Sequence, residues 1–302
     1  MTLQQLRYAI AIADNHSMNK AAGELFISQP SLSGAIKELE EEINLTIFTR
    51  SNRGIKTTVE GEEFLGYARQ IIGNYELLED RFVNKASGKK KFAVSMQHYT
   101  FAVQAFIQMV KHFGMNEYEF AVRETKTYEI IQDVKHLKSE LGILYLNDFN
   151  EKALTKIFHE NELEFVELMN CRIYAYIWKK HPLAGKKSVS FTDLMEYPCL
   201  SFEQGNNNAF YFAEEVFSTL DYKQIIKAND RATVLNLMVG LNGYTLCSGI
   251  ICEDLNGDDY TAVPLENKDT MRIGYIKRKN VMLSELAKIY IKELEKFKDS
   301  VL

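Results

Sequence analysis

The sequence predicts a small N-terminal unit of short helices, then one long helix, then a larger C-terminal unit of the α/β class. The first 50 residues hold three short helical patterns, two of which begin at a serine. A proline-free apolar repeat then runs from Thr58 to about Ala86. Beyond residue 92, short β-branched or aromatic runs alternate with helical ones, a pattern typical of parallel sheets covered by helices.

The overall composition indicates a globular protein with more than one domain. The chain has 302 residues, of which 46% are apolar and 25% are charged, enough to bury a sizeable core. No run of about 18 apolar residues occurs, and the N-terminal stretch has neither a basic segment nor a small-residue cleavage site. We therefore expect a cytoplasmic protein without a membrane anchor. A net charge of −5 argues against a protein that coats nucleic acid nonspecifically.

The four cysteines give no sign of a metal site. Cys171, Cys199, Cys247 and Cys252 form no CxxC pair and have no histidine spacing suited to zinc. We expect reduced, mostly buried thiols, and we expect neither a metal nor a cofactor. A redox-switch disulfide is the alternative.

Two predicted helices open the N-terminal unit. The first carries an apolar stripe at three- and four-residue steps, formed by Leu3, Leu6, Ile10 and Ala13. Ser17 is placed to cap a second, Ala-rich helix that reaches Leu25 and is small enough for another helix to lie close. Phe26 and Ile27 are expected to close the following turn as an apolar plug.

The stretch SQPSLSGAIKELE predicts a third, well-capped helix. Ser28 is suited to the N-cap, and Pro30 falls in the first turn, where its missing N–H costs nothing. One narrow face is apolar and should pack on the first two helices; it consists of Leu32, Ile36, Leu39 and Ile43. The opposite face carries short polar groups that suit close approach to base edges and phosphates. This face is formed by Gln29, Pro30, Ser31, Ser33, Gly34 and Lys37. A merely solvated first turn is the alternative.

A basic hairpin is predicted directly after this helix. The segment from Phe48 to Thr58 reads as two short strands around an Asn-Arg-Gly turn and carries three cations. Together with two lysines on the helices, these cations provide a surface for phosphate. The residues predicted to contact DNA are Lys20, Ser28, Gln29, Pro30, Ser31, Ser33, Lys37, Arg50, Arg53 and Lys56.

These N-terminal motifs resemble the winged helix-turn-helix of the LysR-type transcriptional regulators. The resemblance rests on Ala21-Ala22, Leu25, SQPSLS, Ile36, Leu39-Glu40, Phe48-x-Arg50 and Thr58-x-x-Gly61, which occur in order and at the right spacing. It implies that the SQPS helix lies in the major groove and that the hairpin, the wing, grips the flanking backbone. Two positions depart from the family pattern. Asn44 replaces a common glycine, and Gly34 stands where a longer, often basic side chain is frequent.

The apolar repeat after the wing predicts a long linker helix that pairs with a second chain. The predicted dimerisation residues are Phe64, Ala68, Ile71, Tyr75, Leu78 and Phe82, with Gly61 at the start of the seam. About 29 residues at roughly 1.5 Å each give about 43 Å, more than one small domain needs. A helix folded onto its own domain is the alternative. Residues 84–91 read as a hinge. We therefore expect a DNA-binding domain over 1–58, a linker over 59–88 and a C-terminal domain over 89–302.

The C-terminal part is predicted to contain nine strands and five main helices. The strand candidates are FAVSM, YEFAVRE, LGILYL, RIYAYIWKK, PCLSF, IIKAN, YTLCSGI, YTAVPLE and MRIGYIKRK. The helices are expected at about 101–111, around 130–134, and at about 210–218, 232–241 and 284–297.

This part resembles the LysR-type effector-binding domain. The markers are His181-Pro182-Leu183-Ala184, Phe191-x-Asp193-Leu194 and the stretch 237–245. The resemblance implies a periplasmic-binding-protein-like pair of α/β lobes, with lobe I at 92–165 and 266–302 and lobe II at 166–265. It also implies a homodimer or homotetramer that binds promoter DNA and a small-metabolite effector, with RNA polymerase as a further candidate partner.

Ligands of open α/β sheets bind beyond the carboxyl ends of strands, and this rule selects loops of the C-terminal part. The predicted effector-binding residues are Ser95, Gln97, His98, Tyr99, Thr100, Thr125, Lys126, Thr127, Glu203, Gln204, Asn206 and Thr245. By resemblance, Thr100 and Thr125 bind an effector carboxylate. From their charge, Lys126 is expected to add positive charge and Glu203 to receive an ammonium group. An amino-acid-like effector is thus expected. For each hydroxyl, capping of its own helix is the alternative.

Other functions find less support in the sequence. No nucleophile elbow, zinc-protease motif or P-loop occurs, so we expect no enzyme. A redox-sensing regulator of the same fold and a solute-binding protein remain as alternatives. The stretches SMQHYTF, SELGILYLND and NDRATVLN resemble Gram-positive regulators of cysteine and methionine metabolism, which would make O-acetylserine or homocysteine candidate effectors.

Overall fold

A computed structural model describes residues 1–51, 54–79, 89–113, 117–205, 207 and 209–298, with the main chain only at 50, 51, 54 and 77. The chain divides into two compact units, Met1–Gly88 and Lys89–Leu302. Arg53, Phe82, Asn206 and most of the predicted hinge lie outside the described residues. No described helix is long and apolar enough to cross a membrane.

The first unit is a winged helix-turn-helix followed by a long helix, as the sequence predicts. The polar caps expected from the sequence are present: Ser17 and Ser28 each accept a backbone N–H of the helix that they start. Asn44 ends the third helix at φ 52°, the left-handed conformation that Asn tolerates. The elements are α1 Leu3–Asn15, α2 Met18–Glu24, α3 Gln29–Ile43, β1 Phe48–Ser51, β2 Gly54–Thr57 and α4 Val59–Leu78.

The core of this unit is built from the apolar faces of its helices. Leu32, Ile36 and Leu39 of α3 are buried against α1 and α2, as their spacing predicts. The expected apolar plug after α2 is only half right. Ile27 packs against this core, whereas Phe26 is 95% exposed because its backbone takes a left-handed turn at φ 54°.

The long helix α4 packs on α1 of its own unit through one side. Leu65, Ala68 and Ile72 are buried, the last two beside Leu6. The assignment of Ala68 to a dimer seam is therefore wrong, because its methyl group is already enclosed within one chain. A different stripe on α4 remains exposed and apolar; it consists of Tyr67, Ile71 and Leu78.

The second unit begins with a lobe built on a five-stranded sheet. This first lobe is made of β3 Lys90–Met96, α5 Thr100–Phe113, β4 Tyr118–Glu124, α6 Thr127–Lys135, β5 Leu141–Leu146, α7 Glu151–Glu160, β6 Leu163–Arg172, β12 Thr270–Arg278 and α11 Glu285–Glu295. The strand order is β4-β3-β5-β12-β6; β3 pairs in parallel with β4 and β5, while β12 runs antiparallel to β5 and β6. The expected lobe boundary at residue 165 falls inside β6, which stays in this sheet as far as Arg172.

The elements of the second lobe are β7 Tyr174–Trp178, α8 Phe191–Leu194, β8 Cys199–Phe202, β9 Ile225–Ala228, α9 Arg231–Leu241, β10 Thr245–Cys247, α10 Glu253–Asn256 and β11 Tyr260–Pro264. Three of its strands form a sheet in the order β10-β7-β11, and β8 and β9 form a parallel pair. A bridge between Cys199 and Tyr244 joins the two. One apolar core runs through the crossing strands from the first lobe into the second.

The helix predicted at 210–218 is absent. Only a 3₁₀ turn, Phe210–Phe212, forms there, and the chain then extends at Ala213. Glu214 and Glu215 are both buried behind this turn, each held by hydrogen bonds to other segments. Tertiary hydrogen bonding of two adjacent acids thus overrides the local helical pattern.

Candidate functional site

The first candidate site is the exposed face at the start of α3. Ser28 accepts the Ser31 backbone N–H at 3.2 Å, and the two hydroxyl oxygens lie 2.7 Å apart. Pro30, Ser31, Gly34 and Lys37 are exposed, while Gln29 and Ser33 are half-buried. No described atom lies within 4 Å of where a side chain at Gly34 would begin. Another backbone can therefore approach this turn closely.

The wing is fixed to the same helix by one carboxylate. Glu40 near the end of α3 accepts the backbone N–H groups of Ile47 at 2.6 Å and Phe48 at 2.9 Å. The two wing strands pair antiparallel, with Phe48 opposite Thr57 and Thr49 opposite Lys56. The wing and α3 consequently form one rigid surface.

The cations assigned to DNA contact are placed as follows. Lys20 and Lys56 are exposed, and Lys37 is exposed with Glu41 at 3.5 Å on the same helix. This exposed ion pair is weak, so Lys37 remains free to move to a phosphate. The Arg50 side chain and all of Arg53 lie outside the described residues.

The second candidate site is a cavity between the two lobes of the second unit. It has a volume of about 90 Å³, room for about three water molecules. The first lobe contributes His98, Tyr99, Thr100, Phe101 and Met271. The second lobe contributes the larger share, including Tyr176, Phe202, Glu214, Glu215, Arg231, Thr245, Cys247, Ile250 and Asn256. The lining is thus mainly apolar, with a few charged and polar groups.

An arginine crosses from one lobe to the other at this cavity. Arg231, the first residue of α9, binds the Thr100 hydroxyl with one guanidinium nitrogen and the Glu124 carboxylate with the other. The Asn256 side-chain amide donates to the same Thr100 oxygen at 3.1 Å and lies 3.3 Å from the Tyr176 hydroxyl. Thr100 is therefore the meeting point of both lobes.

A buried acid forms a second bridge between the lobes. Glu214 accepts hydrogen bonds from the His98 backbone N–H at 3.1 Å and the Gln204 side chain at 3.1 Å, and it lies 2.8 Å from His98 Nδ1. The His98 ring stacks parallel on Phe202 with 3.6 Å between the ring centroids. His98 is thus fixed in both position and ring orientation.

The neighbouring acid, Glu215, is buried and accepts the Phe202 backbone N–H at 2.9 Å. Burial and the adjacent Glu214 carboxylate raise the pKa of Glu215 well above its ordinary value. These surroundings therefore disfavour the charged form of this acid.

The cavity brings together only part of the effector-binding set predicted from the sequence. His98, Tyr99, Thr100 and Thr245 line it. Thr125 binds Glu129, and Glu203 is exposed to solvent. The remaining members are described below, apart from Asn206, which lies outside the described residues.

Several predicted members are instead buried parts of the scaffold. Ser95 is fully buried, bonded to Asp133 at 2.6 Å and to Ser139 at 2.8 Å, so its assignment to the effector site is corrected. Gln97 donates to the Thr127 hydroxyl at 2.6 Å within the first lobe, and the Thr127 backbone N–H donates to the Gln204 side chain across the lobes at 3.1 Å. Lys126 lies with its ammonium group beside Gly205. These groups join the lobes beside the cavity rather than line it.

The four thiols are free and poorly placed for redox chemistry. Burial raises the pKa of Cys171, Cys199 and Cys247 to about 12, and that of Cys252 to about 11. Because the thiolate is the reactive species, these thiols are unreactive near neutral pH. Among the described residues, no group of three or more His, Cys, Asp or Glu side chains is placed to hold a metal ion.

Sequence reasoning missed the charged residues that dominate the cavity. Arg231, Glu214, Glu215 and Asn256 were not selected, and neither was Glu124. Arg231 had a local signal, because it follows the helix-capping Asp230 directly after strand β9. The two glutamates had none, since they are placed by tertiary contacts: Glu214 with His98, 116 residues away along the chain, and Glu215 with Phe202, 13 residues away.

Comparison with known families places the chain among the LysR-type transcriptional regulators. Residues 3–62 match the bacterial regulatory helix-turn-helix protein, lysR family, and residues 98–298 match the LysR substrate binding domain. The chain therefore belongs to the LysR family of DNA-binding transcriptional regulators with an effector-binding domain. The fold class expected from the sequence is confirmed.

Individual relatives are similar over nearly the whole chain. The HTH-type transcriptional regulator CysL of Bacillus subtilis is 24% identical over 305 residues, covering 96% of this chain and 98% of CysL. Full-length OxyR from Pseudomonas aeruginosa has a TM-score of 0.68 at 17% identity, covering 97% of this chain and 94% of that one. CbnR in complex with its target DNA has a TM-score of 0.60 at 17% identity, covering 98% and 99%. At these identities, the two structures show a shared fold.

Proposed function

We propose that promoter binding by this chain is controlled by an amino-acid-like metabolite held between the two lobes. The observation that supports this most directly is the charge arrangement of the cavity. The lining includes a cation and a hydroxyl, Arg231 and Thr100, together with two acids, Glu214 and Glu215. A zwitterion offers a carboxylate to Arg231 and Thr100 and an ammonium group to Glu214, while the apolar lining accepts its side chain.

On the DNA side, the exposed first turn of α3 reads the major groove and the wing holds the flanking backbone. Gln29 and Ser31 are the candidates for base contacts, since they are short polar groups at the start of the helix. Phosphate contacts are assigned to Lys20, Lys37 and Lys56, and by the family pattern to Arg50 and Arg53. The family likeness supports the assignment, together with the exposure of Lys20, Ser31, Lys37 and Lys56.

A homodimer is proposed to form through the exposed stripe of α4. Tyr67, Ile71 and Leu78 expose apolar surface on one side, while the opposite side of the helix is occupied by α1. A two-fold dimer reads two half-sites, and two dimers joined through their effector domains form a tetramer. RNA polymerase is a further proposed partner, and the cytoplasm is the proposed site of action. The mechanism requires no cofactor.

The first candidate effectors are O-acetylserine and homocysteine. This choice rests on the sequence resemblance to regulators of cysteine and methionine metabolism, together with the cavity chemistry. The redox-sensing alternative finds less support, because burial raises the pKa of all four thiols.

Effector control is proposed to operate through closure of the cleft. A ligand shifts such an equilibrium only by its different affinity for the two states, typically about 1 to 3 kcal/mol. Two variants separate the two sites. Thr100→Ala should lose the effector response and keep operator binding, whereas Gln29→Ala should lose operator discrimination and keep effector binding. Full effector response in Thr100→Ala, measured by fluorescence anisotropy on operator DNA, would refute the assignment of the cleft.

A further inference from the structure

We infer that Arg231 is the carboxylate receptor of the cleft and that Glu124 occupies the place of the ligand's carboxylate until a ligand arrives. The inference rests on the proposed function, since it names the chemical group that the effector must carry. Glu124 thus competes with the effector's carboxylate for the Arg231 guanidinium.

The geometry separates the two partners of Arg231. Arg231 and Thr100 line the cavity, whereas Glu124, at the end of β4, does not. The Arg231 side chain is 22% exposed and that of Glu124 is 28% exposed, so the ion pair lies at the edge of the cavity. A ligand inside the cavity therefore reaches the guanidinium directly and competes with Glu124 for its N–H donors.

The hydrogen bonds of the Thr100 hydroxyl favour an anion beside the Arg231–Glu124 ion pair. The Thr100 oxygen accepts N–H donors from both Arg231 and Asn256, which uses its two lone pairs. Its own hydroxyl proton is then available to donate. Because α5 begins at Thr100, its helix N-terminus also directs partial positive charge here, whereas the N-terminus of α9 is capped by the Asp230 carboxylate. The Thr100 hydroxyl, the start of α5 and the Arg231 guanidinium thus converge on a place suited to a carboxylate.

Exchange of one carboxylate for another has a modest electrostatic cost. A partly buried guanidinium needs an anion, and either Glu124 or a ligand carboxylate satisfies it. The other acids nearby compete less well, since Glu214 is bonded to His98 and Gln204 and Glu215 accepts the Phe202 backbone N–H. The exchange also releases an ion pair that joins the lobes, which links ligand binding to their relative position.

The test uses acetate as the probe, because it is a simple carboxylate whatever the natural effector is. Full-length wild type, Glu124→Gln, Glu124→Gln/Arg231→Gln and the control Glu129→Gln are melted in sodium acetate and in sodium chloride of equal ionic strength. Trp178, the single tryptophan, lies in the second unit and reports its unfolding.

Glu124→Gln is expected to gain a specific acetate stabilisation of about 3–6 °C at acetate tenfold above its Kd, and the double variant should lose it. Wild type and Glu129→Gln should respond much less. An equal response of Glu124→Gln and wild type, or a persisting response in the double variant, would overturn the inference.

A second titration keeps this inference separate from the proposed function. O-acetyl-L-serine and its carboxylate-free counterpart 2-aminoethyl acetate are titrated calorimetrically into wild type and Glu124→Gln. We expect Glu124→Gln to bind O-acetyl-L-serine several-fold more tightly, without a gain for the amine. If acetate stabilises Glu124→Gln while O-acetyl-L-serine binds neither protein, the carboxylate-receptor role of Arg231 is supported and the proposed amino-acid effector is refuted. Weaker O-acetyl-L-serine binding by Glu124→Gln would show that Glu124 supports the site instead.

Discussion

Replacement of Gly61 by alanine should loosen the joint between the wing and the long helix α4. The N-cap Thr58 holds this joint, since its hydroxyl donates to the Thr46 carbonyl at 2.7 Å and accepts the Gly61 N–H at 2.8 Å. The Ile47 carbonyl also accepts the Thr58 N–H at 3.0 Å. An alanine methyl group would lie well under 3.0 Å from that carbonyl oxygen and 2.9 Å from the Thr58 hydroxyl. Backbone must move to admit it.

The expected magnitude combines two opposing effects. Overpacking of this kind costs about 1–3 kcal/mol, and the displaced carbonyl weakens at least one hydrogen bond worth about 1 kcal/mol. Alanine recovers about 1 kcal/mol of helix propensity relative to glycine. We therefore expect Gly61→Ala to destabilise the first unit by about 1–3 kcal/mol. Gly23→Ala is the matched control, because no described atom lies within 4 Å of its new methyl group, and it should stabilise by about 0.5–1 kcal/mol.

Hydrogen–deuterium exchange of α1 and α4 peptides in the full-length protein measures this effect. Tryptophan fluorescence does not, because the single tryptophan lies in the second unit. Faster exchange is expected in Gly61→Ala for the first unit only, together with weaker operator binding. Equal protection in Gly61→Ala and Gly23→Ala would refute the reasoning that close backbone approach requires glycine at position 61.

Three further changes test other parts of the account. Serine at Ile71 and Leu78 should shift sedimentation toward monomer by removing exposed apolar surface, and an unchanged dimer would contradict the α4 interface. Gly34→Lys should add a phosphate contact and tighten binding to all DNA. The slope of log affinity against log salt concentration should steepen by about one unit, and an unchanged slope would place Gly34 away from DNA. His181 donates to the Asn242 carbonyl and accepts the Leu183 N–H at 3.0 Å, and burial lowers its pKa. Its contribution to the free energy of unfolding is therefore complete above about pH 6.5 and declines as the pH falls below that value. His181→Gln should flatten this decline in urea unfolding, and an unchanged pH profile would contradict it.

The helical part of the fold was predictable because its signals are local. The caps at Ser17 and Ser28 and the left-handed end at Asn44 depend on neighbouring residues only. The long helix α4 shows the limit of prediction from local signals. Both of its sides carry apolar residues at helical spacing, so periodicity alone did not show that Ala68 faces α1 while Tyr67 faces outward.

The cleft was predictable in position but not in chemistry. Strand ends correctly selected His98, Tyr99 and Thr100 as cavity residues. The same rule also selected Ser95. Side chains alternate between the two faces of β3, and Ser95 points to the face where it is buried with Asp133 and Ser139. Arg231 enters through contacts across more than a hundred residues, which no local pattern encodes.

Operator binding by the full-length protein, with and without O-acetyl-L-serine, tests the central claim most directly. Fluorescence anisotropy on DNA from the region upstream of its own gene, titrated across salt, should show preference over random DNA by about a thousandfold or more and steep weakening with salt. The effector should change that affinity in wild type and leave it unchanged in Thr100→Ala. Equal, weak binding to operator and random DNA would contradict the role assigned to the SQPS helix. An effector response that persists in Thr100→Ala would contradict the role assigned to the cleft.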